Sequence, residues 1–284
     1  MIGKGMMIWQ LVACAGASMK NLAQRAKEAG MSWVAIKVVD GTGLFKDNLA
    51  LLGKAITFLE AAGIEVYGWG YARGADWFRR TVAAAEALAA VQAIRTYHLA
   101  GYLIDAEGEY KRWGSASWAA QYMTVLKTSL PANYPTGLCS YRYPSLHPEL
   151  PWKEFLAGCS FHAPQVYWMS AHNPGYQLER SVRELQALKN MPVIPIGSAF
   201  HENGWTPYVS DLNQFNHQAK ALGLGGLGWW SWQHAEQSRS WWQTISGHDW
   251  PKPATPPESK PPTLKQRVSR LEEQAILHGW PIDA

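Results

Sequence analysis

The sequence predicts a (β/α)8 barrel, and three observations carry that prediction. Eight short apolar runs recur along the 284 residues, at 6–12, 33–39, 65–71, 101–106, 136–141, 161–168, 192–199 and 226–232. Amphipathic stretches at helical spacing separate them, and strict alternation of strand and helix implies a parallel sheet. The length suits one barrel of about 250 residues. No glycine-rich phosphate loop follows the first run, which argues against an open dinucleotide-binding sheet.

Ser18 reads as the N-cap of a helix over 18–29 and Asp47 as that of a helix over 47–61. Gly30 and Gly63 stand where helices end. Further helices are predicted over 75–97, 115–130, 175–189 and 209–222, and the barrel domain over 1–250. Residues 251–262 are proline-rich and read as a semi-rigid linker. Within 263–284, Thr263 and Gln266 form a capping box, and Leu264, Val268, Leu271 and Ala275 follow a coiled-coil spacing. This short C-terminal helix is expected to oligomerise or to dock on a larger assembly.

Hydrophobic residues make up 47% and charged residues 17%, the balance of a chain with a large core. No apolar run reaches the roughly 20 residues of a membrane span, and the first residues show no signal-peptide pattern. Cys14, Cys139 and Cys159 have neither disulfide-framework nor zinc spacing, so buried free thiols are expected. A net charge of +4 favours anionic partners, but no basic run supports nucleic-acid binding. The 16 Trp and 12 Tyr point to carbohydrate, because their rings stack on sugar faces; the competing reading is core packing. Nine His include His147, His162, His172, His201 and His234, yet no HxH or HxxxH pair sits at a strand end. Neither a metal nor a cofactor is therefore expected.

In this fold the chemistry lies at the C-terminal strand ends. The fourth run ends Asp105-Ala106-Glu107, and strand alternation puts Asp105 and Glu107 on one face with Gly101 and Leu103, the barrel interior. Two carboxyls this close resist double ionisation, and a carboxyl that keeps its proton suits a glycosidic leaving group. Glu107 is the expected general acid and Asp105 its assistant. The competing reading is a salt-bridged pair, with Lys37 as the cation. Asp40 reads as a second catalytic carboxylate or as the start of a turn before Gly41. Trp69 and Tyr71 on the third run, and Gln165 and Tyr167 on the sixth, are candidate sugar contacts, whereas Tyr67 reads as core. Trp230 or Trp232 floors a subsite; the strand phase leaves both open.

Several of these segments resemble a known family. Residues 35–42, Ala-Ile-Lys-Val-Val-Asp-Gly-Thr, resemble the second-strand pattern of the family 25 glycoside hydrolases, the barrel lysozymes of phages and bacteria. Residues 63–71 resemble their third strand, Glu86 lies in a comparable Ala-rich helix, and Asp105-x-Glu107 matches their catalytic motif. The Asp-x-Glu, Tyr167 and a Trp on the last strand also resemble family 18 chitinases, although Gly101 and Leu103 replace that family's earlier acids. The family 25 resemblance implies an acid on strand one, where this chain has Ile8-Trp9-Gln10. It further implies a retaining N-acetylmuramidase acting on cell-wall glycan, with the substrate acetamide as nucleophile. The expected setting is a phage lysin, released from the host cytoplasm at lysis or carried on the virion. The alternative is a non-catalytic barrel that binds glycan or builds a virion or surface assembly.

Overall fold

Ser18 accepts a hydrogen bond from Asn21 N at 3.3 Å and opens α1 (Met19–Glu28), as its residue type predicts. In the computed structural model, which describes residues 1–76 and 80–251, such helices surround a closed barrel of eight parallel strands. The barrel strands are β1 (Gly3–Ile8), β2 (Trp33–Asp40), β4 (Glu65–Ala72), β5 (Gly101–Ala106), β6 (Thr136–Tyr141), β7 (Phe161–Val166), β8 (Ile196–Ser198) and β9 (Gly226–Trp230). β1 pairs with both β2 and β9, which closes the sheet. The two residues of β3 (Gly43–Leu44) turn back antiparallel on β2. The expected (β/α)8 architecture is what the chain adopts. The expectations for 252–284, linker and terminal helix, lie outside the described residues.

The other helices are α2 (Lys46–Ala61), α3 (Ala83–Tyr97), α4 (Ser115–Ser129), α5 (Trp152–Leu156), α6 (Pro174–Leu188), α7 (Val209–Ala221), α8 (Trp232–Ala235) and α9 (Arg239–Gly247). Three expectations are corrected. α2 is N-capped by Phe45, and Asp47 sits in its first turn, where it accepts from Gln10 Nε2 at 3.0 Å. α3 begins at Ala83 rather than 75, because Glu86 captures the amides of Arg73 and Gly74, and Ala75 bridges to Thr81. β1 also begins earlier than its apolar run. Asn48 takes the amide of Leu11 and the carbonyl of Trp9, bending the chain after Ile8 into a short helical turn.

Two apolar layers result. One joins the helices to the outer sheet face through residues such as Leu52, Ile94, Tyr102, Leu126 and Phe215. The other fills the barrel with Met7, Trp33, Ala35, Tyr67, Trp69, Leu103, Cys139, Phe161, Ala163 and Ile196. Its wide rings need bare backbone opposite: a Cβ at Gly5 would meet Trp33 at 2.0 Å, one at Gly101 would meet Tyr67 at 2.4 Å, and one at Gly137 would meet Phe161 at 2.2 Å. The packed floor leaves the strands' C-terminal ends as the mouth. All three cysteines are free and buried. No helix among the described residues is long and apolar enough to cross a membrane.

Candidate active site

Asp105 is the last inward residue of β5, with Leu103 and Gly101 below it on the same face and Tyr102, Ile104 and Ala106 buried outside. The register aligns it with Tyr71 of β4 on one side and Cys139 of β6 on the other, and Tyr71 with Asp40 of β2. Glu107 leaves the strand at the mouth and is half-exposed. Gln165 Nε2 donates to Asp105 Oδ1 at 2.9 Å and to Glu107 Oε1 at 2.8 Å. The structure thus brings Asp105, Glu107 and Gln165 together. Burial, then the Glu107 carboxyl, holds the Asp105 carboxyl well above the usual carboxylate range, against the opposing charge of Lys37. Burial and the neighbouring carboxyl thus both favour the protonated form of Asp105.

Asp40 is placed differently from a second catalytic carboxylate. Its Oδ2 accepts from Lys37 Nζ at 2.8 Å and its Oδ1 from Arg73 Nη2 at 2.5 Å. Burial pushes its carboxyl up, but the bonds and charges of Lys37 and Arg73 outweigh that and hold it low. Both oxygens are engaged, and Gly41 at φ +58° turns the chain immediately after it, so the turn reading fits Asp40. Lys37 is drawn to Asp40 and makes no ion pair with Asp105. Its ammonium also lies over the rings of Phe45 (4.5 Å) and Trp69 (5.1 Å).

The expected sugar contacts divide. Tyr71 is half-buried at the rim and donates to Glu109 Oε2 at 2.6 Å. Tyr167 stands edge-on to Phe200 at 5.3 Å, and burial raises its phenol, with further contributions from Cys139, Asp105 and Glu107. Trp230 faces the mouth and meets Trp69 edge-on at 5.5 Å. Trp69 itself is buried, its indole donating to the Ile8 carbonyl at 3.0 Å, so it props Trp230 rather than meeting a ligand. Trp232 is corrected as well. β9 ends at Trp230, and Trp232 opens α8 fully buried, donating to Glu236 Oε2 at 2.9 Å. Tyr67 is core, as read.

Four mouth residues escaped the sequence reading. Tyr141 ends β6 in the same inward phase as Cys139, a signal that alternation alone could have given. Glu109 follows Glu107 by two residues on a 3-10 turn, where strand phase no longer applies. Arg73 reaches Asp40 across 33 residues. Trp9, 40% exposed, stands just beyond β1, where the family resemblance would put an acid. The histidines are scattered among separate partners: His162 with Lys189, His172 with Asp211, His201 with Thr206 and His234 with Ser231. Among the described residues no three metal-ligating groups converge.

No protein-family model and no curated relative matches the sequence. Solved structures do resemble the fold. A family 18 chitinase from Cycas revoluta, in complex with allosamidin, superposes with a TM-score of 0.61 at 8% identity, over 86% of this chain and 98% of that one. The spore cortex-lytic enzyme SleL of Bacillus cereus gives 0.62 at 10% identity, over 89% and 76%. An endo-1,4-beta-D-mannanase from Thermotoga petrophila gives 0.61 at 11% identity, over 81% and 88%. At these identities the likeness shows the fold, a (β/α)8 barrel of the kind these enzymes use. Family 18 is the second of the two families that the sequence resembles; the family 25 resemblance rests on the sequence motifs.

Proposed function

We propose that the chain is a glycoside hydrolase that cleaves the glycan strands of bacterial peptidoglycan, a retaining N-acetylmuramidase of the lysin type. The observation that carries this reading is the Asp105–Glu107 pair at the mouth, held by one amide donor. Asp105 favours its protonated form, because it is buried and its neighbour is a second carboxyl. Glu107, the half-exposed member, delivers a proton to the glycosidic oxygen, and Asp105 orients it and resupplies it from behind. Asp40 is occupied by Lys37 and Arg73, so the nucleophile is the acetamide oxygen of the substrate. It bonds to the anomeric carbon as the leaving oxygen departs with the proton. Water then reopens the ring, with Glu107 as base. Half-buried Tyr71, Tyr167 and Trp230 line the approach.

The barrels of a chitinase and a cortex-lytic enzyme support the substrate class, and the net charge of +4 suits an anionic wall. The setting we infer is a phage lysin, free or on the virion. Clearing of cell-wall suspensions by wild type and Glu107→Gln, with product analysis, tests the reading. Wild type is expected to clear, and the variant to lose about 100-fold or more; equal clearing by both removes Glu107 as the acid. Trp9 in place of a strand-one acid favours a second reading, a barrel that binds glycan without cleaving it. Glycan retention with no release of reducing ends would select it.

A further inference from the structure

We propose that Lys111 and Arg142 form a carboxylate-binding site at the edge of this mouth, selecting glycans with a carboxylate on a sugar beside the scissile bond. The inference rests on the glycan reading above and narrows its substrate to strands whose lactyl carboxyl is free of a stem peptide, because an amide there carries no charge. Tyr141, in register with Gln165 at the end of β6, is the centre of the cluster. Its ring stacks on His147 with centroids 3.7 Å apart, and Lys111 Nζ lies 4.0 Å from the same centroid. The Tyr141 hydroxyl would be 3.7 Å from a Cβ at Gly108, so it stands beside the backbone between Glu107 and Glu109. Burial and then the charges of Glu107, Glu109 and Asp105 raise its phenol, which places the cluster in the field of the acidic pair.

The cations near the mouth are not equivalent. Lys37 and Arg73 are both ion-paired with Asp40, and Arg180 with Glu184. Among the described residues, Lys111 and Arg142 have no carboxylate within ion-pair distance. Lys111 Nζ is 2.6 Å from His147 Nδ1, a contact that requires a neutral ring as acceptor. Burial and the Lys111 charge both favour that neutral form; Glu149 opposes it and Arg142 adds to it. The ammonium keeps two further donors. Arg142 donates through Nη1 to the Tyr167 carbonyl at 2.5 Å, and its buried Nε has no partner among the described residues. Two positioned, uncompensated cations on one side of an acidic mouth repel nothing on a neutral glycan and bind a carboxylate on an acidic one.

The test measures binding of the full chain to an N-acetylglucosamine–N-acetylmuramic acid tetrasaccharide with free lactyl carboxylates, to its methyl ester, and to neutral chitotetraose. Wild type is expected to hold the free acid about tenfold more tightly than the ester. Lys111→Met with Arg142→Met is expected to lose that preference, and Lys111→Arg with Arg142→Lys to retain it. The charge-conserving pair separates loss of charge from loss of fold. Equal wild-type affinity for acid and ester overturns the inference, as does a preference that survives removal of both cations. If chitotetraose binds in either case, the glycan reading survives that failure; if no glycan binds in any form, both fall.

Discussion

Gln165 Nε2 stands 2.8 Å from Glu107 Oε1, and the same nitrogen stands 2.9 Å from Asp105 Oδ1. One amide, placed by β7, thus fixes two carboxyls placed by β5. A hydrogen bond to a charged acceptor contributes about 1.5–3 kcal/mol. Gln165→Leu keeps the approximate volume and removes both donors. On the proposed peptidoglycan substrate its kcat/KM is expected to fall by about 10- to 100-fold. Reducing-end release under steady-state conditions measures this, and an unchanged kcat/KM would show that the carboxyls need no clamp.

The raised carboxyl of Asp105 has a thermodynamic signature. Its folded pKa lies above the unfolded value, through burial first and Glu107 second. Between the unfolded carboxyl value of about 4 and the raised folded value, the native chain binds the extra proton. The Asp105 contribution to stability is therefore full below about pH 4 and is lost as pH rises through that window. Asp105→Asn removes the titration. The variant is expected to match wild type near pH ~4 and to melt at a higher temperature near pH ~8. Melting curves across that range check it; parallel curves would place the proton elsewhere.

Lys4 is buried at the opposite end of the barrel from the acidic pair. Its Nζ donates to the carbonyls of Ile245 (2.7 Å), Ser246 (3.0 Å) and His248 (2.6 Å), capping the C-terminus of α9 from β1. A cation suits that end of a helix, where carbonyls lack partners. Lys4→Met leaves three acceptors without it, two of them buried. The expected loss is about 3 kcal/mol, or roughly 6–10 °C in Tm, with kcat/KM nearly unchanged at a temperature where both forms are folded. Denaturant and thermal unfolding measure the first, and a loss below about 0.5 kcal/mol would mean that water replaces the ammonium.

What was legible in the sequence follows from period. Alternation with a period of two put Gly101, Leu103, Asp105 and Glu107 on one face, and the eight runs separated by helical stretches gave the barrel. What escaped depends on where a strand stops or on partners distant in sequence. β9 ends at Trp230, so phase carried no further to Trp232. The register shift between Lys37 and Val39 altered the phase before Asp40, and its second cation comes from Arg73 on another loop. The Gly3-Lys4-Gly5 opening of β1 lacks an apolar pattern, because the partners of Lys4 are more than 240 residues away.

Glu86 shows how a residue outside the mouth sets its geometry. Its two carboxyl oxygens accept the amides of Arg73 at 2.7 Å and Gly74 at 3.0 Å, which fixes the loop that carries the Arg73 guanidinium to Asp40. Burial raises the Glu86 carboxyl, opposed by these two amides and by Tyr110. A glutamine of the same shape cannot replace it, since its NH2 would face one of the amides. Glu86→Gln is expected to cost about 1–3 kcal/mol. Because Asp40 and Arg73 border the mouth rather than belong to the acidic pair, KM should rise more than kcat falls. Unfolding and steady-state kinetics on the same variant separate the two effects. A kcat loss with KM unchanged would move Glu86 from the binding rim to the proton chemistry.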